Sequence, residues 1–179
     1  KMKKLVLKLY AFWRSFASPF IWRIFYKRKR YTKDQEAVKA WQDFMASQMK
    51  GADHYLNPVD YKADWGRGLV DASIPPSYAH VFFAELEEGR DCDDFARMWT
   101  LWGEDREYEA REWLVTSAKK GEFFKRAHMV TTLSKYGEHW LVDYHPFGPH
   151  NVLTDALSEL SKRYPDGYIL AEYKWRREW

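Results

Sequence analysis

The amino-acid sequence predicts an α+β domain, in which helical segments come first and a small antiparallel sheet follows. Before residue 105 the apolar residues recur at helical spacing, whereas later they fall in short β-branched and aromatic runs between turn-like segments. The composition fits one globular domain, because the 179 residues are 46% hydrophobic and 31% charged. No apolar run reaches the ~18 residues that a membrane span needs.

Residues 1–33 are predicted to form a basic, aromatic arm before a domain of residues 34–179. The arm holds eleven Lys or Arg and no acid, so the domain has the other 18 cations against all 26 acids. Pro19 predicts a break or kink that divides the arm into two short helical pieces. The arm either packs on the domain as a helix with solvated cations, or binds a protein assembly, a membrane surface or nucleic acid.

Two further helices are predicted before residue 89. The first begins at Thr32, which forms a capping box with Gln35, and ends near Gly51. Residues 52–76 lack clear periodicity, which is typical of a functional loop, and the second helix is predicted for residues 77–88. The apolar stripe of the first helix is predicted to be core and consists of Val38, Trp41, Phe44, Met45 and Met49.

After residue 105 the sequence predicts three antiparallel strands in the segments "WLVTSA", "AHMVTTL" and "HWLVDY". The turn between the second and third strands falls near Ser134–Gly137, where Gly137 suits a type I turn with a bulge. The segment "NVLTDALSELSKRY" follows as an amphipathic helix, and "GYILAEYKW" is predicted as a fourth strand.

The single cysteine, Cys92, begins a helix predicted for "CDDFARMWTLWG". Backbone N–H groups and the helix dipole stabilise a thiolate there, and the Cys92 N–H is the natural oxyanion donor. The flanking aspartates oppose this effect, because like charge disfavours the thiolate. Cys92 therefore needs a cationic partner, most naturally an imidazole. An inert packing cysteine is the alternative interpretation.

The predicted hairpin offers this imidazole. Folding it places His128 roughly opposite Asp143, and neighbouring side chains on one face lie ~5 Å apart. Asp143 then accepts a hydrogen bond from one ring nitrogen of His128, while the other nitrogen faces the thiol. Nucleophile, base and orienting acid in this order are typical of acyl transfer. His139 is the rival base, although its position on the same strand as Asp143 gives a poorer geometry.

His139, His145 and His150 raise the alternative of a metal site. They span a strand end and a Pro-Gly loop, without the tight spacing of known ligand motifs. The sequence therefore predicts no metal and no other cofactor. One cysteine also excludes an internal disulfide, and a free thiol fits a cytoplasmic or virion-associated protein better than a secreted one.

The segments "GRDCDDFA" and "HMVTTLSKYGEHWLVDY", with a strand between them, resemble the transglutaminase-like superfamily of cysteine enzymes. The nearest branch is that of the bacterial transglutaminase-like cysteine proteinases, which has a Gly-(x)-Cys-x-Asp-[Phe/Tyr]-Ala helix start, a His opening an apolar strand and an Asp ending the next. The resemblance covers about residues 85–145. It implies a papain-like core with Cys92 as nucleophile, His128 as general base and Asp143 as orienting acid.

The resemblance implies a peptidase or amidase that attacks a carbonyl group of a protein or peptide substrate, or a transamidase if an amine is the acceptor. The alternative is a structural or docking protein, in which the basic arm acts within an assembly such as a phage particle and the domain is catalytically silent. Nucleic-acid binding by the arm is the third hypothesis and predicts an affinity that falls steeply with salt.

Overall fold

The computed structural model describes residues 2–25, 92–119, 121–122 and 127–173, with residues 39, 43, 45, 46 and 49. Side chains of the first helix are described as far as residue 13. Three predictions lie outside the described residues: the capping box of Thr32 with Gln35, the loop at 52–76 and the helix at 77–88. The same is true of Val38, Trp41 and Phe44 in the predicted core stripe.

A five-stranded antiparallel sheet forms the centre of the described fold, in the order β4-β3-β2-β1-β5. Every neighbouring pair of strands is antiparallel, and the mixed α+β class predicted from the sequence is confirmed. Four of the strands match the predicted ones, and β4 is new. The bounds are β1 Glu109–Ser117, β2 His128–Lys135, β3 Glu138–Asp143, β4 His145–His150 and β5 Tyr168–Tyr173.

Strand β4 replaces the Pro-Gly loop expected after residue 145, so that prediction was wrong. Its sequence, "HPFGPH", has the composition of a turn, because proline cannot donate to a strand ladder. The strand forms nevertheless, since it lies at the sheet edge and needs ladder hydrogen bonds on one side only. Gly148 permits a close approach to β3, because a Cβ there would meet the His139 carbonyl oxygen at 2.8 Å.

The β2–β3 turn contains two residues, Tyr136 and Gly137, with φ angles of 54° and 82°. Two positive φ angles define a type I′ turn, so the predicted type I turn with a bulge was wrong. The type I′ turn forms because its twist matches that of the strands. The resulting register pairs Thr131 with Val142. Continued to the strand end, it sets Asp143 across from Val130, so Asp143 lies diagonal to His128 rather than opposite it.

The helices are α1 Met2–Phe25, α2 Cys92–Glu104, α3 Leu153–Ser158 and α4 Leu160–Arg163. The predicted break at Pro19 was wrong, since α1 continues through it. A proline removes one backbone hydrogen bond, but the turns on either side keep theirs, and the helix need not end. The single helix predicted after β4 is divided at Glu159 into α3 and α4. Within the described ranges, no helix has a stretch long and apolar enough to cross a membrane.

Helices α1 and α2 cover one face of the sheet. Leu7 and Ala11 of α1 pack in a buried cluster with Leu114, Met129 and Ala171 of the strands. Met45 is buried in the α2 cluster and Met49 packs against it, as the predicted stripe requires. The other buried members of the α2 cluster are Phe95, Met98, Trp99, Trp102, Leu133, Trp140 and Val142.

Helices α3 and α4 cover the opposite face. Their residues Ala156 and Leu160 pack against Val130 of β2 and other strand residues. Because strand side chains alternate between faces, His128 lies on the same side as Val130, and Met129 points towards α1 and α2. The sheet therefore lies between two helical layers. His128, the first residue of β2, lies at one end of the sheet on the α3–α4 side.

Candidate functional site

His128 and Asp143 form a direct hydrogen bond, with 2.6 Å between Nε2 of the ring and Oδ1 of the carboxylate. The two strands that hold them are adjacent, and the type I′ turn fixes their register. Both side chains are largely withdrawn from solvent, with 7% of the His128 side chain and 15% of the Asp143 side chain exposed. A carboxylate in this position fixes the orientation of an imidazole ring.

Arg163 also contacts both residues of this pair. We call the three residues His128, Asp143 and Arg163 the His128 cluster. One guanidinium nitrogen of Arg163 lies 2.7 Å and 2.5 Å from the two oxygens of Asp143. The same nitrogen lies 2.6 Å from Nε2 of His128. Sequence reasoning missed Arg163, because a cation in the last turn of a helix is an ordinary feature of helix ends.

The Nε2 atom of His128 can donate to Asp143 or accept from Arg163, but it cannot do both. An Nε2 lone pair facing the carboxylate at 2.6 Å would be repelled, so the Nε2–H form that donates to Asp143 is favoured. Arg163 then donates to the carboxylate oxygens instead. In the neutral ring this leaves the lone pair on Nδ1, which is the nitrogen that can act as a base.

The pKa directions fit this arrangement. Burial lowers the pKa of His128 below its usual value, and the positive charge of Arg163 adds to this, although the contact with Asp143 opposes both. Burial acts to raise the pKa of Asp143, but the His128 hydrogen bond, the charge that His128 carries when protonated and the charge of Arg163 hold that pKa below its ordinary value. These directions favour a neutral imidazole beside an ionised carboxylate, which are the states that a general base and its orienting acid require.

Tyr144 connects the His128 cluster to α2. Its ring centre lies 5.4 Å from that of His128 and 5.2 Å from that of Phe95. Its carbonyl oxygen accepts a hydrogen bond from the Trp99 indole at 3.3 Å. With a φ of 63°, Tyr144 has the left-handed conformation that is uncommon for a residue with a side chain. The turn between β3 and β4 is thus held against the helix that begins with Cys92.

Cys92 is the first residue of α2, is half-buried and forms no disulfide. The Thr131 hydroxyl donates to the carbonyl of Ala96 at 2.7 Å, which holds α2 against β2. Cys92 lies one helical turn before Ala96, and His128 lies three residues before Thr131, so the two residues share one end of the sheet. The charge of Asp93, the next residue after Cys92, also reaches His128 and acts to raise its pKa.

Of the three predicted catalytic residues, His128 and Asp143 are in direct contact. Cys92 packs against the α1–α2 side of the sheet, beside the cluster that contains Met129. His128 contacts Arg163 of α4 on the other side. Contact between the thiol and the imidazole therefore has to occur around the end of β2, and it stays a prediction.

The other histidines have different surroundings. The rival base His139 contacts the Ser134 hydroxyl at 2.8 Å through its Nδ1. His150 Nε2 lies 4.0 Å from a carboxylate oxygen of Glu159. Burial lowers the pKa of His145, although the charge of Asp143 opposes this. Across the described parts of the chain, no group of three His, Cys, Asp or Glu side chains is placed to hold a metal ion.

A second arginine–carboxylate pair lies on the α2 side of the sheet, away from the His128 cluster. Arg97 donates to Glu112 at 2.9 Å, and the side chains of both are almost fully buried. Burial lowers the pKa of Arg97 and raises that of Glu112, while the attraction between the two opposes both shifts. One signal in the sequence was not used: Glu112 lies two residues before Leu114 in β1 and so shares its inward-facing side.

Comparison with family models, curated proteins and solved structures finds no match for this chain. The function is therefore inferred from the geometry of the described residues and from the short sequence motifs around Cys92, His128 and Asp143.

Proposed function

We propose that this protein is a cysteine-dependent acyl-transfer enzyme with a transglutaminase-like, papain-like core, acting as a peptidase or amidase. Cys92 is the nucleophile, His128 the general base and Asp143 the residue that orients it. The observation that carries the proposal is the 2.6 Å hydrogen bond between His128 Nε2 and Asp143. That bond leaves the Nδ1 lone pair as the basic site of the ring.

The order of elements supports the same proposal. Helix α2 begins with the single cysteine, and strand β1 follows it. Strand β2 then begins with His128, and strand β3 ends with Asp143. This is the order in the transglutaminase-like proteinases, which the motifs of this chain resemble. The lowered pKa of His128 adds support, because burial keeps the ring neutral and ready to accept a proton.

In the proposed reaction, Nδ1 of His128 takes the proton of the Cys92 thiol, and the sulfur attacks the substrate carbonyl carbon. The tetrahedral intermediate collapses when the bond to the amine breaks, and His128 gives its proton to the leaving amine. A water molecule then attacks the thioester and transfers a proton to His128. Release of the acid returns this proton to the Cys92 sulfur. An amine in place of water gives transamidation.

A thiol-labelling experiment tests the proposal. The wild-type protein, His128→Ala and His139→Ala are treated with an electrophilic probe for cysteine proteases, and labelling of Cys92 is followed by mass spectrometry. We expect His128→Ala to label about 10²-fold more slowly or worse, the usual loss when a positioned base is removed. His139→Ala is the matched control, because it removes an imidazole from the neighbouring strand.

Equal, slow labelling of all three proteins would show that His128 does not activate Cys92. It would favour the alternative proposal of a docking protein with a catalytically silent domain. That alternative has its own supporting observation, because the outer face of α1 exposes several large apolar side chains.

A further inference from the structure

Helix α1 has two apolar faces. Leu7 and Ala11 are buried against the sheet. With 3.6 residues per turn, Leu9 points roughly 160° away from both of them. Leu9 is 59% exposed. The same outer face contains other large apolar side chains that are exposed: Met2, Leu5, Val6, Phe12 and Trp13.

Lysines border this outer face. Lys4 and Lys8 are exposed and lie along one edge, between the outer apolar face and the buried face. Lys3 lies on the other edge and donates to the carbonyl of Ala118. The arm to which α1 belongs has eleven Lys or Arg and no acid in residues 1–33. The outer face is therefore an apolar strip with cations beside it and no negative charge from its own arm.

We propose that the outer face of α1 docks on the surface of an anionic phospholipid bilayer, with the helix lying parallel to the membrane plane. In-plane helices bury an apolar face rich in Leu, Phe and Trp at the boundary of the acyl chains, while flanking Lys and Arg meet the lipid phosphates. Long lysine stems reach that level without burying their charge. The packing of Leu7 and Ala11 then ties the sheet domain to the membrane.

Other occupants fit less well. Nucleic acid would neutralise the lysines but leave the apolar strip of α1 in water. A second copy docked through the same face of α1 would bring two sets of arm cations together, and the arm has no acid to neutralise them. An anionic bilayer provides both an apolar phase and a negative surface. The inference is independent of the thiol chemistry, and the Cys92→Ala protein is expected to bind as the wild type does.

The experiment is co-sedimentation of the full chain with vesicles of equal parts phosphatidylcholine and phosphatidylglycerol, beside vesicles of phosphatidylcholine alone. We expect binding to the anionic vesicles that weakens as salt is added. The double variant Leu5→Glu/Leu9→Glu should weaken this binding by at least about tenfold, because two apolar anchors are lost and two negative charges are added. Val152→Glu is the matched control, since Val152 is 48% exposed but lies at the start of α3.

A second variant keeps the test independent of folding. Lys4→Gln/Lys8→Gln retains the apolar strip and is expected to reduce both the binding and its salt dependence. Circular dichroism checks that each variant is folded. Failure of the wild type to bind anionic vesicles would overturn the proposal, as would undiminished binding of the folded Leu5→Glu/Leu9→Glu variant. Two other results would assign the face to another occupant and overturn the proposal as well. One is a dimer of the wild type that is lost in that variant, and the other is binding of DNA or an acidic protein without binding to vesicles.

Discussion

Two arginine–carboxylate pairs, one on each face of the sheet, differ mainly in their exposure. Arg97 and Glu112 are enclosed between α2 and β1, with 6% and 3% of their side chains exposed. In the other pair the Arg163 side chain is 40% exposed and Asp143 also contacts an imidazole. The same two functional groups therefore sit in a dry interior at one place and beside water at the other.

The pKa shifts of the two carboxylates run in opposite directions. Burial raises the pKa of Glu112 despite the attraction of Arg97. Burial opposes the charge of Asp143 too, but His128 and Arg163 outweigh it, and its pKa is lowered. A neighbouring cation alone therefore does not fix the ionisation state of a carboxylate. The carboxylate that keeps its charge easily is the one available to serve a histidine, while the buried pair serves the packing of α2 on the sheet.

The largest effect on stability is expected from Glu112→Gln. The substitution removes the carboxylate charge to which the buried Arg97 guanidinium donates, which costs about 3–5 kcal/mol of the free energy of unfolding. Urea denaturation of the variant and the wild type measures this loss. The double variant Arg97→Met/Glu112→Leu removes both charges and should recover most of the stability. A Glu112→Gln protein within about 1 kcal/mol of the wild type would contradict the view that this pair is held dry.

Asp143→Asn should affect activity far more than stability. Asparagine replaces a group that only accepts with an amide whose N–H can donate to Nε2, so the Nε2–H form of His128 is no longer enforced, and we expect Cys92 labelling to slow by about 10²-fold. The free energy of unfolding should fall by about 1 kcal/mol or less, because Arg163 is partly solvated. Labelling rates and urea denaturation measure the two effects separately. Asp155→Asn, an exposed acid in α3, is the control. A large stability loss with unchanged labelling would mean that Asp143 is structural.

The smallest effect is expected from Arg163→Met. Burial lowers the pKa of His128, and the charge of Arg163 contributes to that lowering, so its removal should raise the pKa of the ring. The neutral base then becomes scarcer as the pH falls into the weakly acidic range. An NMR titration of the His128 ring measures the shift without any substrate. Lys162→Met is the control, since it removes the neighbouring cation, which pairs with Glu159. An unchanged or lower pKa in Arg163→Met would contradict the assigned role.

Local patterns made most of the sheet predictable. Alternating β-branched runs indicated four strands, and the spacing of His128 and Asp143 around one turn was enough to bring them near each other. The diagonal offset between them was not predictable, because it depends on the type I′ turn, in which Tyr136 takes a positive φ. Asparagine, aspartate or glycine is the usual signal for such a position, and tyrosine gives none.

Features that depend on contacts distant in sequence were not predictable. Arg163 is 20 residues from Asp143, and no periodicity relates a helix end to a strand end across a layer. The Arg97–Glu112 pair likewise required knowledge that α2 packs against β1. The continuation of α1 past Pro19 escaped prediction because proline indicates a bend or an end, and sequence alone does not decide which.

The edge strand β4 has a consequence for how the molecules behave in concentrated solution. An open sheet edge presents a row of backbone donors and acceptors that can pair with a strand of another molecule, which is a common route to aggregation. Pro146 and Pro149 leave this short edge strand with two fewer backbone N–H donors. The prolines that made this strand unpredictable from the sequence thereby weaken its pairing with strands of other molecules.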